Sequence, residues 1–166
     1  MIQEILERRS IRKYQEKEIT REQLEDLLKA AMLAPNSGNR QCWRFIAITN
    51  KQVLKDISVF SKQTPMLANA QAAIVILEDV SCSIGAEYCY QDAGLAAENI
   101  LLEAVSLGLG GVYCALGPSL NKMTRYRDYF NLDNYLLPVC VLALGYPNES
   151  RPTPYRYDEK KITWVE

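Results

Sequence analysis

The chain has 166 residues, 48% of them hydrophobic, and 19 basic against 20 acidic side chains leave a formal charge of -1. That length suits one domain with a real core, the apolar fraction argues against disorder, and the charge balance gives no long-range attraction for nucleic acid or an anionic membrane. Histidine is absent, which removes the usual zinc and haem ligand sets and every Ser-His or Cys-His catalytic pair. Ile2, Ile5 and Leu6 give a short apolar face before Arg8-Arg9-Ser10-Ile11-Arg12. Met1 leads straight into this amphipathic start, unlike a signal peptide, and no apolar run approaches the roughly 18 residues of a membrane span.

Thr20 followed by Arg21-Glu22-Gln23 is a capping-box pattern. Leu24, Leu27, Leu28 and Ala31 keep the helical period to Leu33, and Ala34-Pro35 stops it. Trp43 to Thr49 predicts a strand, and Asn50 the cap of a short helix carrying Val53, Leu54 and Ile57. Ala72 to Leu77 is continuously apolar, as in a strand covered on both faces. From Ala86 to Leu107, a stripe of alanines with Ile100 and Leu101, broadened by Leu95, Leu102 and Leu109, predicts a central helix. Such a helix packs on more than one side, a subunit interface being one setting. Gly108 ends it, Val112 to Leu116 predicts a strand, and Ser119 is placed to cap another helix. Leu136 to Leu144 predicts a further apolar strand, with Pro138 arguing for a bulge or an edge near its start. Pro152 and Pro154 favour an extended tail, and Lys161 to Val165 predicts a terminal strand without a local partner, free to reach another subunit. Residues 1–166 therefore read as one domain of α/β type, with 147–166 as its tail.

Two segments carry chemistry. Arg8 to Arg12 concentrates guanidinium forks and a hydroxyl, which suit phosphate oxygens. If extended, Arg8, Ser10 and Arg12 face one way and Arg9 the other; if helical, Arg8 and Arg12 share a face. Pairing with Glu4, Glu7 or Glu16 on an ordinary charged surface is the plain alternative. Asn36, Ser37, Asn39, Arg40 and Gln41 around Gly38 form a polar loop whose amides match the edge of a flat hydrogen-bonding ring. A solvated helix-stop turn is the plain alternative there. Gly108-Leu109-Gly110-Gly111 lacks the strand-first context of a dinucleotide fingerprint, so a backbone approach to a ligand and a simple helix-to-strand turn both remain open. Cys42, Cys82, Cys89, Cys114 and Cys140 contain no CxxC and read as mostly buried, reduced thiols of a cytoplasmic protein, Cys42 included. The scattered tyrosines, among them Tyr113, Tyr126, Tyr129 and Tyr155, are possible pocket walls or interface residues.

The chain resembles the small FMN-dependent nitroreductase family. The resemblance runs from Glu7-Arg8-Arg9-Ser10-Ile11-Arg12-Lys13-Tyr14 through Ala34-Pro35-Asn36-Ser37-Gly38-Asn39-Arg40-Gln41-Cys42-Trp43. It continues in Gln91-Asp92-Ala93-Gly94-Leu95-Ala96-Ala97-Glu98-Asn99, Gly108-Leu109-Gly110 and Gly145-Tyr146-Pro147. It implies an α+β, three-layer fold with a central mixed sheet flanked by helices, in an intertwined homodimer with FMN at the interface. Arg8, Arg9 and Ser10 would then hold the FMN phosphate, with Arg156 resembling a late phosphate-binding arginine. Ser37, Asn39 and Gln41 would approach the flavin, from the other chain. The backbone of Ala115, Leu116 and Gly117 would face the ring near its reactive nitrogen, with Gly110 shaping that approach.

Cys42 stands where the family commonly has proline, and Pro154 near the place of a frequent lysine. The implied activity is hydride transfer from NAD(P)H through the flavin to a nitroaromatic, quinone or other small oxidised acceptor. No protein acid is nominated. Flavin destruction or dehalogenation on the same scaffold, or a non-enzymatic FMN sensor or store, are the alternatives. No metal, nucleic acid or membrane partner is expected.

Overall fold

The computed structural model describes all residues from Met1 to Glu166. Local chemistry sets most element boundaries. Helix α1 (Gln3–Glu7) carries the short apolar start. In α2 (Arg21–Met32), Thr20 Oγ1 accepts from the Gln23 amide at 3.2 Å, and Gln23 Oε1 accepts from the Thr20 amide at 3.1 Å. This closes the expected capping box. Asn50 Oδ1 caps α3 (Lys51–Ser58) by accepting from the Gln52 and Val53 amides. Helix α4 (Cys89–Ser106) starts later than the predicted Ala86, and two residues past its end Gly108, with φ of 70°, turns the chain into the next strand. Helix α5 (Leu120–Phe130) follows Ser119, but the serine side chain makes no capping bond, contrary to expectation.

The strands are β1 (Trp43–Ile48), β2 (Ala72–Asp79), β3 (Gly110–Ala115) and β4 (Leu136–Gly145), in the spatial order β1-β2-β4-β3. All three pairings between them are antiparallel; a parallel bridge between Ser10 and Gly111 adds the contact that makes the sheet mixed. Alternation along β2 explains the layers. Ala72, Ile74 and Ile76 join Leu24, Leu27, Ala96 and Ile100 of α2 and α4. Ala73, Val75 and Leu77 join Leu54, Ile57, Met123 and Tyr126 of α3 and α5 on the opposite face. Every β2 residue is buried, as its unbroken apolar run requires. Pro138 does sit beside a bulge: Ile76 pairs with Cys140 and Leu77 with Pro138, so Val139 is skipped.

Residues 162–166 form no strand within the chain and find no partner in it; a 3-10 turn (Glu159–Lys161) precedes them. Two expectations are corrected. Cys42 is not a lone core thiol but is joined to Cys82, with a Cα–Cα distance of 6.0 Å; Cys89, Cys114 and Cys140 are free and buried. Tyr126 is no pocket wall, being wholly enclosed between the sheet and Phe60.

The start of the tail runs back along residues 6–14. Tyr14 bridges Pro147, the Asn148 amide donates to Lys13 O at 2.9 Å, and Thr153 Oγ1 donates to Leu6 O at 3.1 Å. On the other side of this segment, the Ile11 amide donates to Gly111 O at 3.0 Å. Gly110 permits that approach: a Cβ there would lie 2.8 Å from Ile11 Cγ1 and 3.0 Å from Pro147 Cγ. Gly110→Ala is therefore expected to cost about 1–3 kcal/mol by overpacking, read as a lowered midpoint in urea unfolding; an unchanged midpoint would show that the segment shifts freely.

Candidate functional site

The segment after α1 is extended, which decides between the two geometries left open by the sequence: Ser10 bridges Gly111 and the Ile11 amide joins β3. Arg8 Nε lies 3.0 Å from Glu98 Oε1 on α4, and no other atom of its guanidinium has a partner in the chain. Its ion-pair partner is thus Glu98, none of the nearby acids. Arg9 is committed differently, donating to the carbonyl oxygens of Leu6, Arg8 and Pro152. It ties the tail to the segment. Ser10 is half-buried beside Arg8. Arg156 lies in the exposed tail, three residues past Thr153, without a bond to the cluster.

The second polar segment is a tight, strained loop. Ser37–Asn39 form a 3-10 turn, and Gly38, Asn39 and Gln41 have φ of 61°, 52° and 55°. Positive φ is ordinary for glycine, tolerable for asparagine and costly for glutamine. Hydrogen bonds hold the shape: the Gln41 amide donates to Asn36 Oδ1 at 2.8 Å, and Gln41 Nε2 to Asn39 Oδ1 at 3.1 Å. Underneath, Asp92 of α4 takes the Ser37 amide on both carboxylate oxygens at 3.1 Å and the Ser37 hydroxyl at 2.9 Å. Asp92 is only 6% exposed, and its place in the first turn of α4 sets its charge against the positive end of the helix. The Cys42–Cys82 link fixes the loop's exit, where Cys42 O accepts from the Asp79 amide at 2.9 Å.

Asp92 carried no assigned chemistry in the sequence reading, and neither did Glu78. Glu78 lies opposite Trp43 across β1 and β2 and is 1% exposed. Its Oε1 and Trp43 Nε1 are both buried without partners. Burial, reinforced by Asp92, pushes its carboxyl up to about 8, against a smaller pull from Arg44. Arg44 itself bonds Asp79 Oδ2 at 2.9 Å. The sequence signal available was an acid at the end of an otherwise apolar strand.

The segment Ala115-Leu116-Gly117 is held by its own backbone. The Leu116 and Gly117 amides both donate to Val139 O, at 2.9 and 3.0 Å, continuing the β3–β4 ladder one step past Ala115. Lys122 Nζ donates to Ala115 O at 3.2 Å. The Leu116 side chain is buried in the α3 and α5 layer, and Gly117 lies against the Tyr90 ring. Along β3, the Gly111 bridge and Ala115 are four residues apart, about 13 Å at strand rise. One end of β3 thus carries an arginine fork and a hydroxyl; the other carries a fixed turn. The loop 36–41 is anchored separately, on α4. A ligand with an anionic tail and a flat hydrogen-bonding head fits this donor set, and FMN is such a molecule. Gly110 serves this layout by seating Ile11.

Known proteins share the sequence and fold of this chain. The family described as "Nitroreductase family" matches residues 5–72 and 61–146. A protein of Archaeoglobus fulgidus, named provisionally as an NADH dehydrogenase/NAD(P)H nitroreductase, is 39% identical over 151 residues, 89% of this chain and 85% of the relative. An FMN-dependent nitroreductase from Clostridium difficile has a solved structure with TM-score 0.93 at 30% identity, covering 100% of this chain and 99% of that one. A Desulfovibrio desulfuricans structure, provisionally a nitroreductase and solved in complex with FMN, has TM-score 0.85 at 26% identity, covering 99% and 95%.

Glu78 predicts a pH dependence. In the unfolded chain its carboxyl ionises near 4.5, in the fold near 8. Its stabilising contribution is therefore complete below about pH 4.5 and lost as pH rises towards 8. Urea midpoints of the wild type should fall across that window more steeply than those of Glu78→Gln; parallel curves would refute the assignment.

Proposed function

The chain belongs to the nitroreductase family, and from that premise we propose that it is an FMN-dependent oxidoreductase passing hydride from NAD(P)H to a small oxidised acceptor such as a nitroaromatic or quinone. The observation that carries the reading is the pair of sites along β3, an anion-suited end where Ser10, with Arg8 before it, bridges Gly111, and a fixed turn that begins at Ala115, about 13 Å from Gly111 along the strand. That spacing suits a phosphate at one end and a ring at the other. Bound FMN would supply the two-electron chemistry, so a chain without histidine is no obstacle.

The chain's own residues have binding and orienting tasks. Arg8 offers its free guanidinium edge to the phosphate, and Ser10 adds a hydroxyl donor. Arg9 acts indirectly, by holding the tail so that Arg156 can approach. Ser37, Asn39 and Gln41 offer mixed donors and acceptors to a ring edge in a loop already fixed by Asp92, so little ordering is left to occur on binding. We assign that loop to the flavin of the other subunit of a homodimer. Support for the dimer comes from the apolar side chains this chain leaves uncovered beside α4, among them Ile2, Leu33 and Leu95. The exposed Trp164 and Val165 point the same way, since a tail of that character needs a surface. No helix is long and apolar enough to cross a membrane.

Anaerobic mixing of the FMN-loaded protein with NADH and with NADPH tests the reading: at least one donor should bleach the flavin absorbance. A protein that holds FMN and is bleached by neither is a binder, and the reductase assignment fails. Arg8→Ala should weaken FMN by about 1–3 kcal/mol in fluorescence titration with the fold intact; unchanged affinity would remove Arg8 from the site.

A further inference from the structure

A groove of about 480 Å³ opens between residues 59–63 and the first turns of α5. Lys62, Lys122 and Arg125 line it with the neutral Ser61, Ser119 and Asn121, and no carboxylate does. None of these cations takes part in any of the chain's ion pairs. In a chain of net charge -1 this is a local concentration of uncompensated positive charge. Arg125 is preorganised: Nε donates to Asn121 Oδ1 at 3.0 Å and Nη1 to Phe60 O at 3.2 Å, leaving Nη2 without a partner. The helix adds to the field, because Ser119 does not cap α5 and its first amides keep their partial charge. Volume, fixed guanidinium and open helix end converge on an anion.

The groove also borders the proposed ring site. Lys122 bonds Ala115 O, and the Ser119 amide donates to Leu116 O at 3.1 Å, so the groove begins where the fixed turn ends. The Arg8 cluster occupies the far end of β3, beside Gly111. The chain thus has two cationic regions flanking one turn, and the FMN phosphate needs only one of them.

We propose that this groove receives the phosphate groups of the nicotinamide dinucleotide donor. The inference rests on the function proposed above: a donor whose ring lies at the Ala115–Gly117 turn must carry its phosphates away over neighbouring surface, and this surface is the cationic one. Phosphate oxygens would meet Lys62, the free edge of Arg125 and the α5 amides. Lys122 keeps its bond to Ala115 and contributes as a fixed charge.

Stopped-flow bleaching of the FMN-loaded wild type, Lys62→Glu and Arg125→Gln by NADH and NADPH tests this. Each variant should raise the donor concentration giving half-maximal bleaching by about tenfold. The limiting bleaching rate, FMN affinity and reoxidation by a quinone should stay as in the wild type. A larger loss for NADPH than for NADH would assign the groove to the extra ribose phosphate; equal losses would assign it to the pyrophosphate. Reduced nicotinamide mononucleotide, which lacks the adenylate half, should show a smaller effect in either case. Unchanged donor dependence in both variants would overturn this inference alone. Loss of FMN from the variants would overturn it by giving the groove to the flavin. A wild type that binds FMN and is bleached by neither donor would overturn both readings.

Discussion

Laying residues 8–12 along β3 is the constraint on which the site depends. The Ile11 amide on Gly111 O and the bridge at Ser10 bring an arginine cluster from the chain's start against a strand laid down a hundred residues later. The contact needs a bare backbone at Gly110 and is closed from the other side by Pro147. Once it is made, β3 separates two regions of different chemistry by a length that neither region could set alone. One end gathers Arg8 and Ser10; the other is the turn that Val139 O fixes by accepting two amides. The last rung of the β3–β4 ladder thereby becomes the anchor of the turn that the ring is proposed to meet.

The polar loop depends on a different device. Three residues with positive φ within four positions do not persist without support. Asp92 supplies it, because a buried carboxylate that accepts three contacts from one serine leaves that serine little freedom. The helix terminus offsets the cost of burying its charge. Next to it, burial and the Asp92 charge both push the Glu78 carboxyl up, which favours its neutral form over a second buried charge. Helix α4 links both devices. It carries Asp92 under the loop, Glu98 against Arg8, and Asn99, whose Nδ2 donates to Ala30 O at the end of α2.

What the sequence revealed was what is local. The capping box at Thr20, the Asn50 cap and the Gly108 stop each depend on a few neighbouring residues, and each appears as expected. The all-apolar β2 announced two covered faces, and Pro138 announced the bulge. The family resemblance of the ordered motifs agrees with the match over residues 5–146. Features that depend on distant partners stayed hidden. Spacing could not say whether Arg8–Arg12 is extended, because β3 decides it. Asp92 and Ser37 are 55 residues apart, and Cys42 and Cys82 are 40 apart with no local signature. The apolar pattern at Lys161–Val165 satisfies a strand's composition, yet a strand exists only where an edge pairs with it, and within the chain that segment pairs with neither outer strand of the sheet. Ser119 has the right residue type for a cap, but its hydroxyl is not turned to the helix amides.

The central claim is a two-ended grip, with charge on the tail of the ligand and amides on its head. Parallel titrations with FMN and riboflavin, followed by quenching of flavin fluorescence, test it most directly, because the two ligands share the ring and differ in the phosphate. The account predicts that FMN binds at least about tenfold more tightly and that rising salt narrows the gap. Equal affinities, or a gap that salt leaves untouched, would contradict it.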